Sequence, residues 1–524
     1  MQNEFCCNAP LVSIIAVIVV FGSSCGGCSK KESSSSIPED NDSDTDTIDF
    51  SNKDTVDDVY DNDIKFINCE SETFEAGERC PLPELSGRTF FLDGQLSQNV
   101  VGTYSIAQRD DSGTDGDAFN NLQDAIDALS GGDNLIVREG EYSRFVEDPF
   151  VPPEYGALDI GAHGTADGTP SDHTVVMAYP GEQPVILAES DKPNYNPDPS
   201  DHNYQNSSQY YRNPAIGIHG EYIDVIGFKT YGQVVITWSS NVLLEGCDLG
   251  GGGPRNMQGN VVAVDYESHD ITIRNNRIHH SCWGEHDWNG AAIIIYHSSA
   301  LIENNLFYNN WGVDVYVKDT REQGGRIFEI RNNFFAPSSI YPNTIGVAGL
   351  NADSSVIDDI IVHHNIFLEK GIGILHATAG YSHFPMTPYN NSFINDMGFD
   401  IEGLIDLTVT SHNNLFYHDG QGDFYYSAWE IESSNNNLFY STSGDVQWRI
   451  EDTATSVQAR NLSEWQRLTD LESDSVYIDP RFVNATGNQP GDFKRQDYAE
   501  DISGGIVCGA YETGDEIIGL YNWR

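Results

Sequence analysis

The stretch IRNNRI at 273–278 returns as IENNLF at 302–307, IRNNFF at 330–335 and VHHNIF at 362–367, then as YNNSF at 389–393, SHNNLF at 411–416 and NNNLF at 435–439. LEGCDL at 244–249 is an earlier, degenerate copy. Counted from its second polar residue, the pattern falls at Cys247, Asn276, Asn305, Asn333, Asn365, Asn391, Asn414 and Asn437, at intervals of 29, 29, 28, 32, 26, 23 and 23. A period of roughly 20–50 residues marks an architecture of stacked repeats.

The runs between the copies decide what is stacked. VVAV at 261–264, AIIIY at 292–296 and VDVYV at 313–317 are short, β-branched and without a helical period, so they read as strands. Several short strands per turn predict an all-β fold, a right-handed parallel β-helix (solenoid) whose coils stack about 4.8 Å apart. Asn tolerates the left-handed backbone of a sharp corner, and its amide can bond the same residue one coil up. The aromatic two residues later is expected to face inward, so Phe307, Phe335, Phe367, Phe393, Phe416 and Phe439 form a core column.

On these residues the chain resembles the right-handed parallel β-helix proteins of the pectate-lyase-like superfamily. DSGTDGDAFNNLQDAIDALSGGDNLIVREGEYS at 111–143 resembles the start of such proteins: a Gly/Asp-rich loop, a short amphipathic cap helix, then a first strand ending in Gly-x-Tyr. HTVVMAYPGEQPVIL at 173–187 and YIDVIGFKTYG at 222–232 resemble their first coils. NLSEWQ at 461–466, SVYIDPRFVNA at 475–485 and GAYE at 509–512 resemble their closing segment. The resemblance implies the fold. It does not imply one activity, because this fold carries lyases, hydrolases, epimerases and adhesins.

Outside the repeat, LVSIIAVIVVF at 11–21 is too short to span a bilayer and suits the core of a signal peptide. GSSCGGCS follows and resembles a bacterial lipobox, with Cys25 or Cys28 as the lipidated residue, although the first ten residues carry Glu4 and no Lys or Arg. The chain is therefore expected to be exported and lipid-anchored at the bacterial outer membrane or cell surface. The expected organisation is a signal segment at 1–28, a disordered Ser/Asp-rich tether at 29–66, an N-terminal segment at 67–110, the β-helix at 111–485 and a closing segment at 486–524. The polar insertion at 189–214 is either a binding loop or a tolerated surface loop.

The formal charge is −53, with 27 basic against 80 acidic residues. That balance argues against nucleic acid as a partner. It also suggests a salty external medium, a need for Ca²⁺ as cofactor, or both, and argues against a bare polyanionic substrate unless cations or a local basic site offset the repulsion. A monomer is expected. Cys69 and Cys80 bracket a possible small disulfide loop. Cys247, Cys282 and Cys508 read as small buried hydrophobes.

Side chains alternate along a strand. With Val262 and Val264 inward, Asp265 faces out. Ile293 and Ile295 inward put Tyr296 out, and Val313, Val315 and Val317 inward put Asp314, Tyr316 and Lys318 out. Asp265, Tyr296 and Lys318 are then matching strand ends on consecutive coils, with Glu267, His297 and Arg321 close behind and His376 further up the stack. Trp283 and Trp311 flank the same edge, whereas His279 and His280 read as corner residues.

A uronate β-elimination needs a base for the C5 proton, a positive group or metal at the carboxylate, and an acid for the leaving oxygen. Lys318 suits the base, Arg321 the carboxylate and Tyr296 the acid. Asp265, Glu267 and Asp314 suit Ca²⁺, and Trp311, Trp283, His297 and His376 suit substrate binding. Lyases of the resembled superfamily use a Lys or Arg base with Ca²⁺ on an outer strand face, but no motif here matches one lyase family residue by residue. A hydrolase would want close paired carboxylates, which Asp265, Asp314 and Asp353 on separate coils do not offer. The expectation is a surface protein that binds or cleaves polysaccharide, with a Ca²⁺-assisted lyase on one side and a non-catalytic adhesin or scaffold on the other.

Overall fold

A computed structural model describes residues 85–143, 156–161, 166–187, 214–250, 260–266, 268–281, 291–296, 298–310, 313–319, 326–337, 343–349, 357–377, 384–395, 398–403, 407–420, 422–426, 431–444, 446–451, 456–495 and 510. The signal segment, the tether, the Cys69–Cys80 loop, Cys282, Cys508 and the insertion at 189–213 lie outside the described residues.

The chain is a right-handed parallel β-helix. Each coil contributes one strand to each of three sheets, here named A, B and C, of 13, 12 and 12 strands. In a typical coil the chain runs through sheet C (Val234–Thr237), turns into sheet A (Ser240–Glu245), turns again into sheet B (Asp248–Gly250) and rises to the next strand of sheet C (Val262–Asp265). Neighbouring strands are parallel and in register from coil to coil, for example Val234 with Val262 and Leu244 with Ile273. Among the described strands, Ser456–Ala459 closes sheet C antiparallel to Val446–Glu451, and the register shifts between Arg326 and Ile327, Asn343 and Ile345, Ile374 and Ala377, and Val409 and Thr410.

The A-to-B corner divides its work between two residues. The first of each polar pair takes the left-handed backbone: Asn275, Asn304, Asn332, His364, Asn390, Asn413 and Asn436 have φ of 53–58°. In earlier coils Gly227 and Gly246 do the same, with φ of 84° and 63°. The second residue builds the ladder. Each buried Asn Oδ1 accepts the backbone N–H of its counterpart one coil down, at 3.0 Å from Asn276 to Asn305, 2.9 Å from Asn305 to Asn333 and 2.9 Å from Asn333 to Asn365. The amide group that the sequence assigned both tasks thus performs one of them. Its side-chain N–H also caps a carbonyl of sheet A, such as that of Leu244 for Asn276, so these buried polar groups are satisfied.

Cys247 is buried at the bottom of this ladder, donates its N–H to Asn276 Oδ1, and has its thiol pushed up to about 12 by burial. The aromatic column forms as expected. Phe307, Phe335, Phe367, Phe393, Phe416 and Phe439 stack with centroids 4.7–5.0 Å apart and planes within 17° of parallel.

The ends of the stack are covered. The helix Leu122–Ala128, capped by Asn121 accepting from the Asp124 N–H, packs Leu122 and Ala125 onto the first coils. Strands Thr89–Leu92 and Asp117–Phe119 extend sheet A beside it. At the other end, Leu462–Thr469 buries Trp465 in the main core. Phe482 and Phe493 join Leu306, Phe334, Ile366 and Leu415 of sheet B in a separate apolar cluster, in which the Phe482 ring meets that of Tyr417 at 5.1 Å.

Candidate functional site

The strand ends of sheet C fall on one line. Val264 pairs with Ile295 and Tyr296 with Lys318, so Asp265, Tyr296 and Lys318 stand on consecutive strands one residue beyond the inward column Val264, Ile295 and Val317. Asp265 and Tyr296 are half-buried. The Asp265 Oδ1 accepts the Tyr266 backbone N–H at 2.6 Å. Lys318 is the last residue but one of its strand, which ends at Asp319, and its side chain, like that of His376 on Gly371–Ala377, is outside the described residues. Glu267, Trp283, His297, Trp311 and Arg321 also lie outside them.

The middle of the sheet differs from expectation. Asp314 and Tyr316, assigned to the solvent, are 0% and 3% exposed. Val313, assigned to the main core, belongs instead to a second apolar cluster with Ala291, Ile294 and Tyr316, against which Ala263 and Tyr296 pack. The outer face of this part of sheet C is therefore a packed layer, and strict alternation of apolar-in and polar-out fails where both faces of a parallel strand are buried. Burial pushes the Tyr316 hydroxyl up to about 12.

Asp314 accepts from Lys370 Nζ at 2.5 Å and from Asn310 Nδ2 at 2.8 Å. Burial disfavours both charges, raising the Asp314 pKa and lowering that of Lys370, while their contact opposes both shifts. A carboxylate so engaged is a poor fit to a Ca²⁺ ion, which leaves Asp265 and Glu267 of the expected set. Among the described residues no group of three or more His, Cys, Asp or Glu side chains is placed to hold a metal ion. His279 ends a sheet B strand and meets Asp248 at 3.0 Å, and His280 turns the next corner with φ 57°.

Two residues absent from the sequence expectation stand out. Trp238 and Tyr266 follow the paired strand ends Thr237 and Asp265, and both hold the left-handed backbone at the C-to-A corner, φ 49° and 54°. They remain 56% and 44% exposed. Their rings stack with centroids 4.4 Å apart and planes 19° from parallel. Behind Trp238, His219 Nδ1 meets Thr237 Oγ1 at 2.8 Å and His219 Nε2 faces Asp159 Oδ1 at 3.6 Å. The available signal was an aromatic directly after the strand in two successive coils, 28 residues apart (266 − 238). His297 follows Tyr296 in the same way.

The sequence matches the family model described as right handed beta helix region over residues 260–441. No curated protein sequence matches the chain. Solved structures similar to it include a pectate lyase, Pel9A, with 13% identity, 82% of this chain and 98% of that one covered, and a TM-score of 0.41. A rhamnogalacturonan lyase has 11% identity over 81% of this chain and 100% of its own, with a TM-score of 0.42. An alginate lyase from Paenibacillus sp. str. FPU-7 has 15% identity over 57% of this chain and 91% of its own, with a TM-score of 0.33.

Proposed function

We propose that this protein binds polysaccharide along the sheet C edge, with Trp238 and Tyr266 as the stacking platform. The observation that carries this reading is the exposed, near-parallel aromatic pair. Large apolar rings left in water are informative where single exposed aliphatics are not. A pyranose presents a flat face of C–H groups, which loses less by leaving water for an aromatic face than a charged or amide surface does. The pair is also held by its backbone and by mutual stacking, so little side-chain entropy remains to be lost on binding.

In the catalytic extension of this proposal, the column next to the platform carries out β-elimination on a uronate. Lys318 removes the C5 proton, Tyr296 protonates the leaving oxygen and Arg321 faces the uronate carboxylate, with the bond from C4 to the leaving oxygen breaking as the C4–C5 double bond forms. Trp283, Trp311, His297 and His376 would contact the flanking sugars. Asp265 and Glu267 would hold Ca²⁺, which supplies positive charge between an acidic protein and an acidic glycan.

The second reading, a non-catalytic glycan-binding adhesin or scaffold, draws on the burial of Asp314 and Tyr316, which removes polar groups from the same sheet. The two separate in one assay. Acidic polysaccharides are incubated with the parent and with Lys318→Ala, with and without a chelator, and unsaturated ends are followed by ultraviolet absorbance. The lyase reading expects product from the parent only, lost with the chelator and in Asp265→Asn. Binding without product from any glycan would leave the adhesin. In either case Trp238→Ala with Tyr266→Ala is expected to lose retention on immobilised polysaccharide while melting at the parent's temperature. Equal retention of this variant and the parent would refute the platform.

Lipid attachment at Cys25 or Cys28, with residues 29–66 as a tether, completes the proposal by holding the stack at the outer membrane or cell surface. Cys25→Ala with Cys28→Ala should leave the membrane fraction, and unchanged fractionation would refute the anchor.

A further inference from the structure

We infer that the groove on the outer face of sheet A is a second saccharide site that takes a neutral, hydroxyl-rich chain lying along the stack. The inference rests on the polysaccharide reading above but on a different set of residues. The groove has a volume of about 550 Å³, within the roughly 300–1,000 Å³ range of ligand sites. Its floor is one outward column of the sheet, in which Asp224, Leu243, Thr272, Leu301 and Glu329 pair in sequence on neighbouring strands. All five are half-buried. Four steps of the inter-strand spacing make this floor about 19 Å long.

The chemistry of the walls selects the occupant. On one side Arg274 bonds Glu245 at 2.9 Å, and beyond it Arg331 bonds Glu303 at 2.7 Å. Arg331 also bonds Glu329 of the floor at 2.8 Å, so the cations of this wall are engaged in ion pairs and offer little net charge. On the other side Asn241, Asp270 and Ser299 present an amide, a carboxylate and a hydroxyl, with Asn241 and Asp270 turned by left-handed backbone of φ 54° and 55°. At the ends, Asp224 meets His173 at 3.0 Å and Glu329 meets His363 at 3.0 Å.

An apolar Leu-Thr-Leu floor between rims that both donate and accept hydrogen bonds matches a sugar chain, whose C–H faces lie down and whose hydroxyls point sideways. A nucleic acid or a uronate-rich glycan would meet Asp224, Asp270 and Glu329 without a surplus of cations. An extended peptide would find no free strand edge, because every floor strand is paired on both sides.

The groove and the platform share the C-to-A corner. Asn241 lies three residues after Trp238, and Asp270 four after Tyr266. One polymer that engages both gains through effective concentration, so loss of either site lowers its apparent affinity by roughly tenfold or more.

The test uses the whole protein and neutral polysaccharides, with their oligosaccharides, in quantitative affinity electrophoresis. Thr272→Arg fills the centre of the floor, and Asn241→Ala with Asp270→Ala strips the rim without touching the core. Melting temperature checks that each variant is folded. Both are expected to bind a neutral polysaccharide at least about tenfold more weakly than the parent, and Trp238→Ala with Tyr266→Ala to weaken it separately. If folded groove variants bind like the parent while the platform variant loses binding, the groove inference falls and the platform stands. If the parent binds no neutral polysaccharide but is retained by an acidic one, the groove inference falls and the platform stands; if it binds neither, both fall. If the groove variants lose binding only to basic peptides, the saccharide assignment is overturned.

Discussion

Replacing Lys370 with methionine is expected to destabilise the stack by about 3–5 kcal/mol, although no catalytic or binding role is assigned to this residue. Lys370 and Asp314 are 1% and 0% exposed, and their charged atoms meet at 2.5 Å. Asp314 lies on Val313–Asp319 and Lys370 just before Gly371–Ala377, so the contact spans two steps of sheet C through Asn343–Gly349. Removing the ammonium leaves a carboxylate with only the Asn310 amide for compensation, in a place water does not reach. Such groups are costly because the charge keeps its desolvation penalty and loses its partner. The double variant Lys370→Met, Asp314→Asn removes both charges and keeps an acceptor for Asn310. It is expected to recover about 2 kcal/mol or more of the summed single losses. Denaturant midpoints of the four proteins check this, and additive losses would show that the pair is not coupled.

The second large effect is expected in the aromatic column. Phe335→Ala removes a ring stacked on both sides, at 4.7 Å from Phe307 and 4.8 Å from Phe367. The coils above and below are fixed by the Asn ladder, so the neighbours cannot collapse into the gap, and the expected cost is about 3–5 kcal/mol. In a solenoid this loss falls first on the coils that share the cavity. Amide exchange should therefore accelerate around 302–367 before the ends of the stack. Trp238→Ala, at an exposed corner, serves as the control and should leave the denaturation midpoint unchanged. Matching midpoints for Phe335→Ala and Trp238→Ala would contradict the column.

Both expectations concern residues whose visibility in the sequence differed sharply. Phe335 was legible because it recurs with an Asn pair at a fixed offset, and only an inward ladder needs that regularity. The strand-end line of Asp265, Tyr296 and Lys318 was legible for the same reason, since period-two alternation and the coil interval fix register together. Lys370 and Asp314 were not. Alternation predicts which way a side chain leaves the strand, but not whether another layer covers it there, and Ile294 and Tyr316 belong to such a layer. The left-handed role of the first polar residue was hidden because Gly246, Asn275 and His364 perform it with different side chains. Trp238 and Tyr266 were overlooked because TWSS at 237–240 and DYES at 265–268 have only an aromatic, of different kind, and a final Ser in common. Their common offset emerges only once Thr237 is paired with Asp265.

The most direct measurement of the central claim is the tryptophan emission of the parent and of Trp238→Phe, titrated with a polysaccharide that retains the parent on a gel. Contact between sugar and the Trp238 face predicts a saturable emission change in the parent. In Trp238→Phe, which keeps an aromatic surface, binding should persist while most of that change disappears. The same emission change in both proteins, or retention with no change in either, would contradict the assignment of the Trp238–Tyr266 pair as the surface that holds the glycan.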